Sequence, residues 1–295
     1  MSSSKVYVPA RPSRTEHHAV RGLRYRFRHW GPQSGNVLLC LHGHRDCAAT
    51  FQFMVDALHK DWRIVAPDWR GHGGSSWAQQ GYYYQDYLAD LDVIIDLVSP
   101  GRPVAVLGHS LGGNIACVYA GVRPERVSRV ASIDGFGLKG RPAADAPDHL
   151  RGWLDSWRKE PVSRVYGTTE AMAERLCVAN RRLTHDKALF LAREMAREVE
   201  GGFTWTFDPA HQRPFAGLYR IDEWAACWAR VTAPVLWVAA GDRFERLART
   251  GPEGFDWRVS QFRNGSSVQI EGTGHNIHHD APDELARVVE AFFAT

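Results

Sequence analysis

Val104-Ala105-Val106-Leu107-Gly108-His109-Ser110-Leu111-Gly112-Gly113 is the stretch on which the fold turns. Its first four residues are aliphatic without interruption, as in a strand covered on both faces, and Leu111 to Ala120 reads as a helix. Between them Gly108 and Gly112 flank Ser110 in the pattern G-x-S-x-G. A strand on one side and a helix on the other is the setting in which that pattern forms a nucleophile elbow. The turn is sharp enough to strain its central residue, and small neighbours keep the strand and the helix from colliding. Ser110 is therefore expected to project its hydroxyl from the end of a sheet.

The same alternation extends outward. Val37 to Leu41, Arg63 to Ala66, Val127 to Ile133, Pro234 to Ala240 and Ser267 to Ile270 read as further buried strands. Ala48 to Leu58, the stretch beginning at Tyr84 and the amphipathic run Asp283 to Phe293 read as helices. Strands separated by helices need crossover connections, so a mostly parallel sheet with helices on both faces is predicted. Leu23, Tyr25 and Phe27 alternate with Arg24, Arg26 and Arg28, which suggests an edge strand defended by charge. From Leu138 to Trp228 the alternation stops, and the sequence is helical or irregular, with no convincing buried strand. Residues 138–225 thus read as an insertion in one core made of residues 1–137 and 226–295. Arg243 to Gly265 reads as a loop and short-helix connection.

The 295 residues are 44% hydrophobic and 23% charged, a balance that excludes disorder as the main state. Thirty-six Lys and Arg against 33 Asp and Glu leave a formal charge of +3, too even to mark a nucleic-acid partner. No apolar run reaches the roughly 18 to 20 residues of a membrane span, and Met1 to Pro9 has no stretch of signal-peptide length. A soluble, cytoplasmic protein is expected. The five cysteines, Cys40, Cys47, Cys117, Cys177 and Cys227, contain no C-x-x-C and suggest buried thiols rather than a disulfide framework or a zinc site.

Over nearly its whole length the chain resembles the α/β-hydrolase family. Besides the elbow, Leu41-His42-Gly43-His44 is similar to that family's oxyanion loop. Asp68-Trp69-Arg70-Gly71-His72-Gly73-Gly74-Ser75 is similar to its D-x-R-G-x-G-x-S loop, and Gly274-His275 follows the last strand where the family carries its base. The resemblance implies an α/β-hydrolase fold with a helical cap at Leu138 to Ala225, and a serine nucleophile at Ser110. It also implies His275 as general base, with the backbone N–H groups of His44 and Leu111 as oxyanion donors. The chemistry agrees with those residue types, since a serine hydroxyl needs a neutral imidazole to take its proton, and the negative oxygen that follows needs preorganised donors.

The acid that orients the histidine has two candidates. Asp134 stands directly at the end of an apolar strand, where some branches of the family carry it. Asp242 lies two residues short of the G-x-x-D position, which Phe244 occupies in Gly241-Asp242-Arg243-Phe244. Asp134 is the preferred candidate. His275, His278 and His279 could also be read as a metal cluster, but the sequence around them lacks a complete ligand set and serine chemistry needs no metal. No metal or cofactor is implied.

The expected reaction is cleavage of an ester-type carboxylic bond in a small-molecule substrate. The same motifs serve lactone, thioester, amide or carbon–carbon bond hydrolysis, and also a non-catalytic ligand receptor on this fold. Trp153, Trp157, Phe190, Phe203, Trp205 and Phe207 supply the inserted segment with aromatic surface, some of which would line an apolar pocket.

Overall fold

A computed structural model describes residues 5–241 and 253–294. Its centre is an eight-stranded sheet in the spatial order β1-β2-β4-β3-β5-β6-β9-β10. The strands are β1 (Arg14–Val20), β2 (Leu23–Trp30), β3 (Val37–Leu41), β4 (Arg63–Pro67), β5 (Val104–His109), β6 (Val127–Ile133), β9 (Val235–Ala240) and β10 (Gly265–Ile270). β1 and β2 run antiparallel to each other and β2 antiparallel to β4, and from β4 to β10 the pairing is parallel. This is the α/β-hydrolase fold that the sequence leads one to expect.

The parallel strands are apolar on both faces because helices cover both. Leu39, Leu41, Val104 and Val106 enter one buried cluster with the helices Tyr84–Val98 and Leu111–Val122. Leu38, Cys40, Leu107 and Ile133 enter a second cluster, with Leu285, Ala286 and Val289 of the C-terminal helix Pro282–Phe293. All five cysteines are free. Among the described residues no helix is long and apolar enough to cross a membrane.

Two local expectations are corrected. β2 is an inner strand, since β1 pairs with its residues Leu23–His29 on one side and β4 pairs on the other, and β1 and β2 are joined at Arg21-Gly22. β1 was hidden by its polar composition, Arg-Thr-Glu-His-His-Ala-Val, of which only Val20 is buried. The arginines of β2 are accordingly engaged, Arg26 with Asp68 and Arg28 with Glu194 and Ser13. In the long stretch between β6 and β9, the helices Ala146–Ser156, Thr169–Ala179, His185–Glu194 and Ile221–Trp228 are accompanied by a hairpin, β7 (Ala196–Val199) and β8 (Gly202–Trp205). These four-residue strands are half exposed and carry no buried-strand signature. The expected short helix after β9 is Phe255–Ser260.

Asp68 ties the loops at the C-terminal end of the sheet. Fully buried, it binds the Arg26 guanidinium and accepts the backbone N–H groups of Ala48 at 2.7 Å and Gly74 at 2.8 Å. Burial alone would raise its pKa, but Arg26 and the two N–H groups hold it below the usual carboxylate range. Asp68→Ala strands a guanidinium and two N–H donors, so a loss of about 3–5 kcal/mol is expected. The measurement is the denaturant midpoint at unchanged slope. A loss below about 1 kcal/mol would mean that Arg26 escapes to solvent.

Candidate active site

β5 ends at His109 and the next residue, Ser110, has φ 51° and ψ −113° before the helix Leu111–Val122 begins. The strained turn is pinned from both sides. The Ser110 N–H donates to the Ile133 carbonyl at 2.9 Å. At Gly112 the helix lies so close to β3 that an added Cβ would stand 2.1 Å from the Leu41 carbonyl oxygen. Leu111, as the first helical residue, has an N–H with no carbonyl partner inside the helix.

The end of β6 supplies the next group. Asp134 also has positive φ, 47°, donates its N–H to the Val238 carbonyl at 2.8 Å, and is 3% exposed. Its Oδ2 meets His275 Nδ1, and His275 Nε2 lies 3.0 Å from Ser110 Oγ. A carboxylate accepts, so Nδ1 carries the proton and Nε2 presents its lone pair to the hydroxyl. Ser110, His275 and Asp134 are thus brought into one hydrogen-bonded chain. Asp242 lies outside the described residues.

The loop that carries His275 is fastened at several points. Gly274 N–H donates to Asp280 Oδ2 at 2.8 Å, and Asn180 donates to Asp280 Oδ1 at 2.7 Å. His109 Nε2 donates to the His275 carbonyl at 2.9 Å. His109 was passed over in the sequence because it occupies a variable position of G-x-S-x-G. Its place beside the serine was the available signal.

A cavity of about 860 Å³ opens over Ser110, Leu111 and His44. Its aromatic wall consists of Tyr83, Tyr84, Phe215, Tyr219 and Trp224, and Lys139, Arg141, Asp145 and Glu223 also line it. The aromatics singled out in the sequence lie elsewhere. Trp153 and Trp157 line a small crevice beside Tyr82, which borders the cavity through His44, Tyr83 and Phe215. Phe190 is buried in a cluster with Phe53 and Met172, against which Phe203, Trp205 and Phe207 pack. Composition marked the segment as aromatic without revealing which side chains face inward.

Histidines crowd this end of the sheet, and most are held neutral. Burial pushes His42 and His44 down to about 4, His279 to about 3 and His211 to about 2. Burial also drives His72, His109 and His278 well below their ordinary range, with neighbouring imidazoles adding to the effect. His275, His278 and His279 do not form one ligand set. Both nitrogens of His275 are engaged by Asp134 and Ser110, while His278 and His279 share the Thr50 hydroxyl at 2.8 and 2.7 Å.

Comparison with known proteins agrees with the fold. The family described as the alpha/beta hydrolase fold matches residues 36–282. A serine hydrolase-like protein of Danio rerio is 32% identical over 274 residues, covering 89% of this chain and 83% of that one. A 3-hydroxybutyrate-oligomer hydrolase of Cupriavidus necator is 32% identical over 92% of each chain. Among solved structures, a hypothetical protein of Pseudomonas aeruginosa superposes with a TM-score of 0.84 at 27% identity, covering 95% of this chain and 99% of that one. The thioesterase domain from the curacin biosynthetic pathway gives the same score and coverage at 23% identity, a likeness of fold.

The buried histidines have a consequence for stability. A group whose folded pKa is depressed takes up a proton on unfolding once the pH falls below its unfolded value of about 6.5, so stability declines as pH drops through that value. Asp46, which burial pushes up to about 7, opposes with one proton against seven histidines. Unfolding at pH of about 5.5 is expected to take up more than about three protons, a slope above about 4 kcal/mol per pH unit. Denaturant titrations between pH 7.5 and 5 measure it, and a flat profile would show that these rings are hydrated.

Proposed function

The chain belongs to the α/β-hydrolase fold family, and we propose that it is a serine hydrolase that cleaves an ester-type carboxylic bond through an acyl-enzyme. The observation that carries this reading is the continuous hydrogen-bonded chain from Asp134 through His275 to Ser110. Ser110 Oγ attacks the substrate carbonyl as its proton passes to His275 Nε2, and the resulting imidazolium is stabilised by buried Asp134. The carbonyl oxygen becomes an oxyanion held by the N–H groups of His44 and Leu111. Collapse expels the alcohol, which takes the proton back from His275. Water then gives a proton to His275, attacks the acyl group and releases the carboxylic acid, returning the proton to Ser110.

Residues 138–225 act as a cap over this site. Leu138, Lys139, Arg141 and Phe215 from that stretch line the same cavity as Ser110, which supports a role in admitting and selecting substrate. The cavity is of ligand-binding size, and its Tyr84, Phe215, Tyr219 and Trp224 surface suits a small apolar or aromatic acyl group. The relative named for a 3-hydroxybutyrate oligomer agrees with an ester bond as target.

A fluorophosphonate is expected to attach at Ser110 on peptide mapping, and Ser110→Ala to lose roughly 10³-fold or more in turnover. Attachment at another serine would refute the assignment of the nucleophile. Asp134→Asn, folded by circular dichroism, is expected to lose on the order of 10⁴ in kcat and Asp242→Asn far less. The reverse ranking would move the acid to the strand after the cap. Across esters of one alcohol, aromatic and medium-chain acyl groups are expected to exceed acetate in kcat/KM. A preference for small charged esters would contradict the apolar site.

A further inference from the structure

We propose that Asp46, His109 and His278 form a site for one divalent transition-metal cation of the zinc class, set directly behind the Ser110–His275 pair. Each offers a ligand atom, and the three atoms lie within 4.8 Å of one another. One carboxylate with two imidazoles is a donor set of open zinc sites, in which a fourth position is left to water. Around a tetrahedral cation, bonds of about 2.0–2.2 Å place ligand atoms about 3.3–3.6 Å from each other. Binding therefore requires the three side chains to draw together by up to about 1.5 Å.

The hydrogen bonds around the cluster leave the required lone pairs bare. His109 Nε2 faces the His275 carbonyl, which only accepts, so Nε2 carries the proton and Nδ1 presents a lone pair. The Thr50 hydroxyl lies 2.8 Å from His278 Nε2 and 2.7 Å from His279 Nε2 and has one proton for both, so at least one of these rings donates to it. In the metal-binding state His278 is the ring that donates its Nε2 proton to Thr50. His278 Nδ1 is then bare as well. Among the described residues neither Nδ1 has a hydrogen-bond partner, although His109 is 3% exposed and His278 fully buried. Two unpartnered imidazole nitrogens at such burial are costly unless something binds them. The residue opposite is Gly43, where an added Cβ would stand 2.8 Å from His109 Nδ1 and cover the lone pair.

Occupation bears on the neighbouring chemistry, a consequence that rests on the hydrolytic mechanism proposed for Ser110 and His275. The His109 and His275 rings are 4.8 Å apart. A dication held by His109 opposes the positive charge that His275 must accept, so loading is expected to lower turnover.

The test uses the full-length protein stripped with a chelator and titrated with zinc against a chromophoric competitor. One saturable equivalent is expected. Asp46→Asn, which preserves the side chain's shape, and His278→Ala are each expected to weaken binding at least about 100-fold, with folding checked by thermal melting. His275→Ala is expected to keep it. No saturable binding would mean that the lone pairs share an internal water. Loss in His275→Ala with retention in Asp46→Asn would put the metal at the triad, and retention in both ligand variants would put it on the surface. Each of these outcomes overturns the proposal, as activation by zinc would overturn its inhibitory consequence. Binding is read without turnover, so its failure leaves the hydrolase reading standing, and failure of Ser110 labelling leaves the metal site standing.

Discussion

Ser110 sits at φ 51°, a backbone state that side chains other than that of glycine rarely occupy and that costs on the order of 1–3 kcal/mol. The rest of the site is built around holding it there. Its N–H is bound by the end of β6, and the first helical turn after it is wedged against the end of β3 at Gly112. Three neighbouring parallel strands thus clamp one residue where they end together. The same ends present Asp134, itself at φ 47°, so strand ends already fixed by the core supply the groups that need exact placement.

That arrangement requires a polar end on an apolar sheet, and polar groups there are satisfied by one another. Asp68 gathers Arg26, Ala48 and Gly74, while Asp90, fully buried, takes Arg70 at 2.5 and 2.6 Å together with the Tyr25 hydroxyl. These two carboxylates fasten the Asp68–Ser75 loop to β2 and to the helix Tyr84–Val98. The buried imidazoles stay neutral because a charge there would lack hydration. His42 illustrates the economy: Nε2 accepts the Trp69 N–H at 2.8 Å, and Nδ1 donates to the Gly43 carbonyl at 2.7 Å.

What could be read in the sequence follows the same physics. Val37 to Leu41 and Val127 to Ile133 were legible because two-sided burial demands unbroken apolar runs, and Ser110 because its turn admits only small neighbours. β1 could not be found that way, since an edge strand with one buried side chain has no hydrophobic period to display. The hairpin at Ala196–Trp205 escaped for a related reason. Its strands face solvent or the inserted helices and never enter the main sheet. The cavity lining was illegible because inward direction depends on tertiary packing, so Phe215 and Trp224 took positions that Trp205 and Phe207 had equal compositional claim to.

The division of labour between sheet and insertion has a physical basis. Groups that must meet within hydrogen-bonding distance, Ser110, His275 and Asp134, lie at strand ends or on a loop tied down by His109, Asp280 and Asn180. Leu138, Arg141 and Phe215, which line the cavity, lie on a stretch whose first helix, Ala146–Ser156, has no buried residue and exposes Leu150 and Leu154. Such a helix has little apolar burial to hold it, so its local opening costs less than disturbing the sheet. With residues 138–225 in the proposed role of a cap, access to the cavity is governed by the weaker layer and geometry at Ser110 by the stronger one. On that proposal the cavity adjusts its shape to a substrate while the strained serine stays clamped.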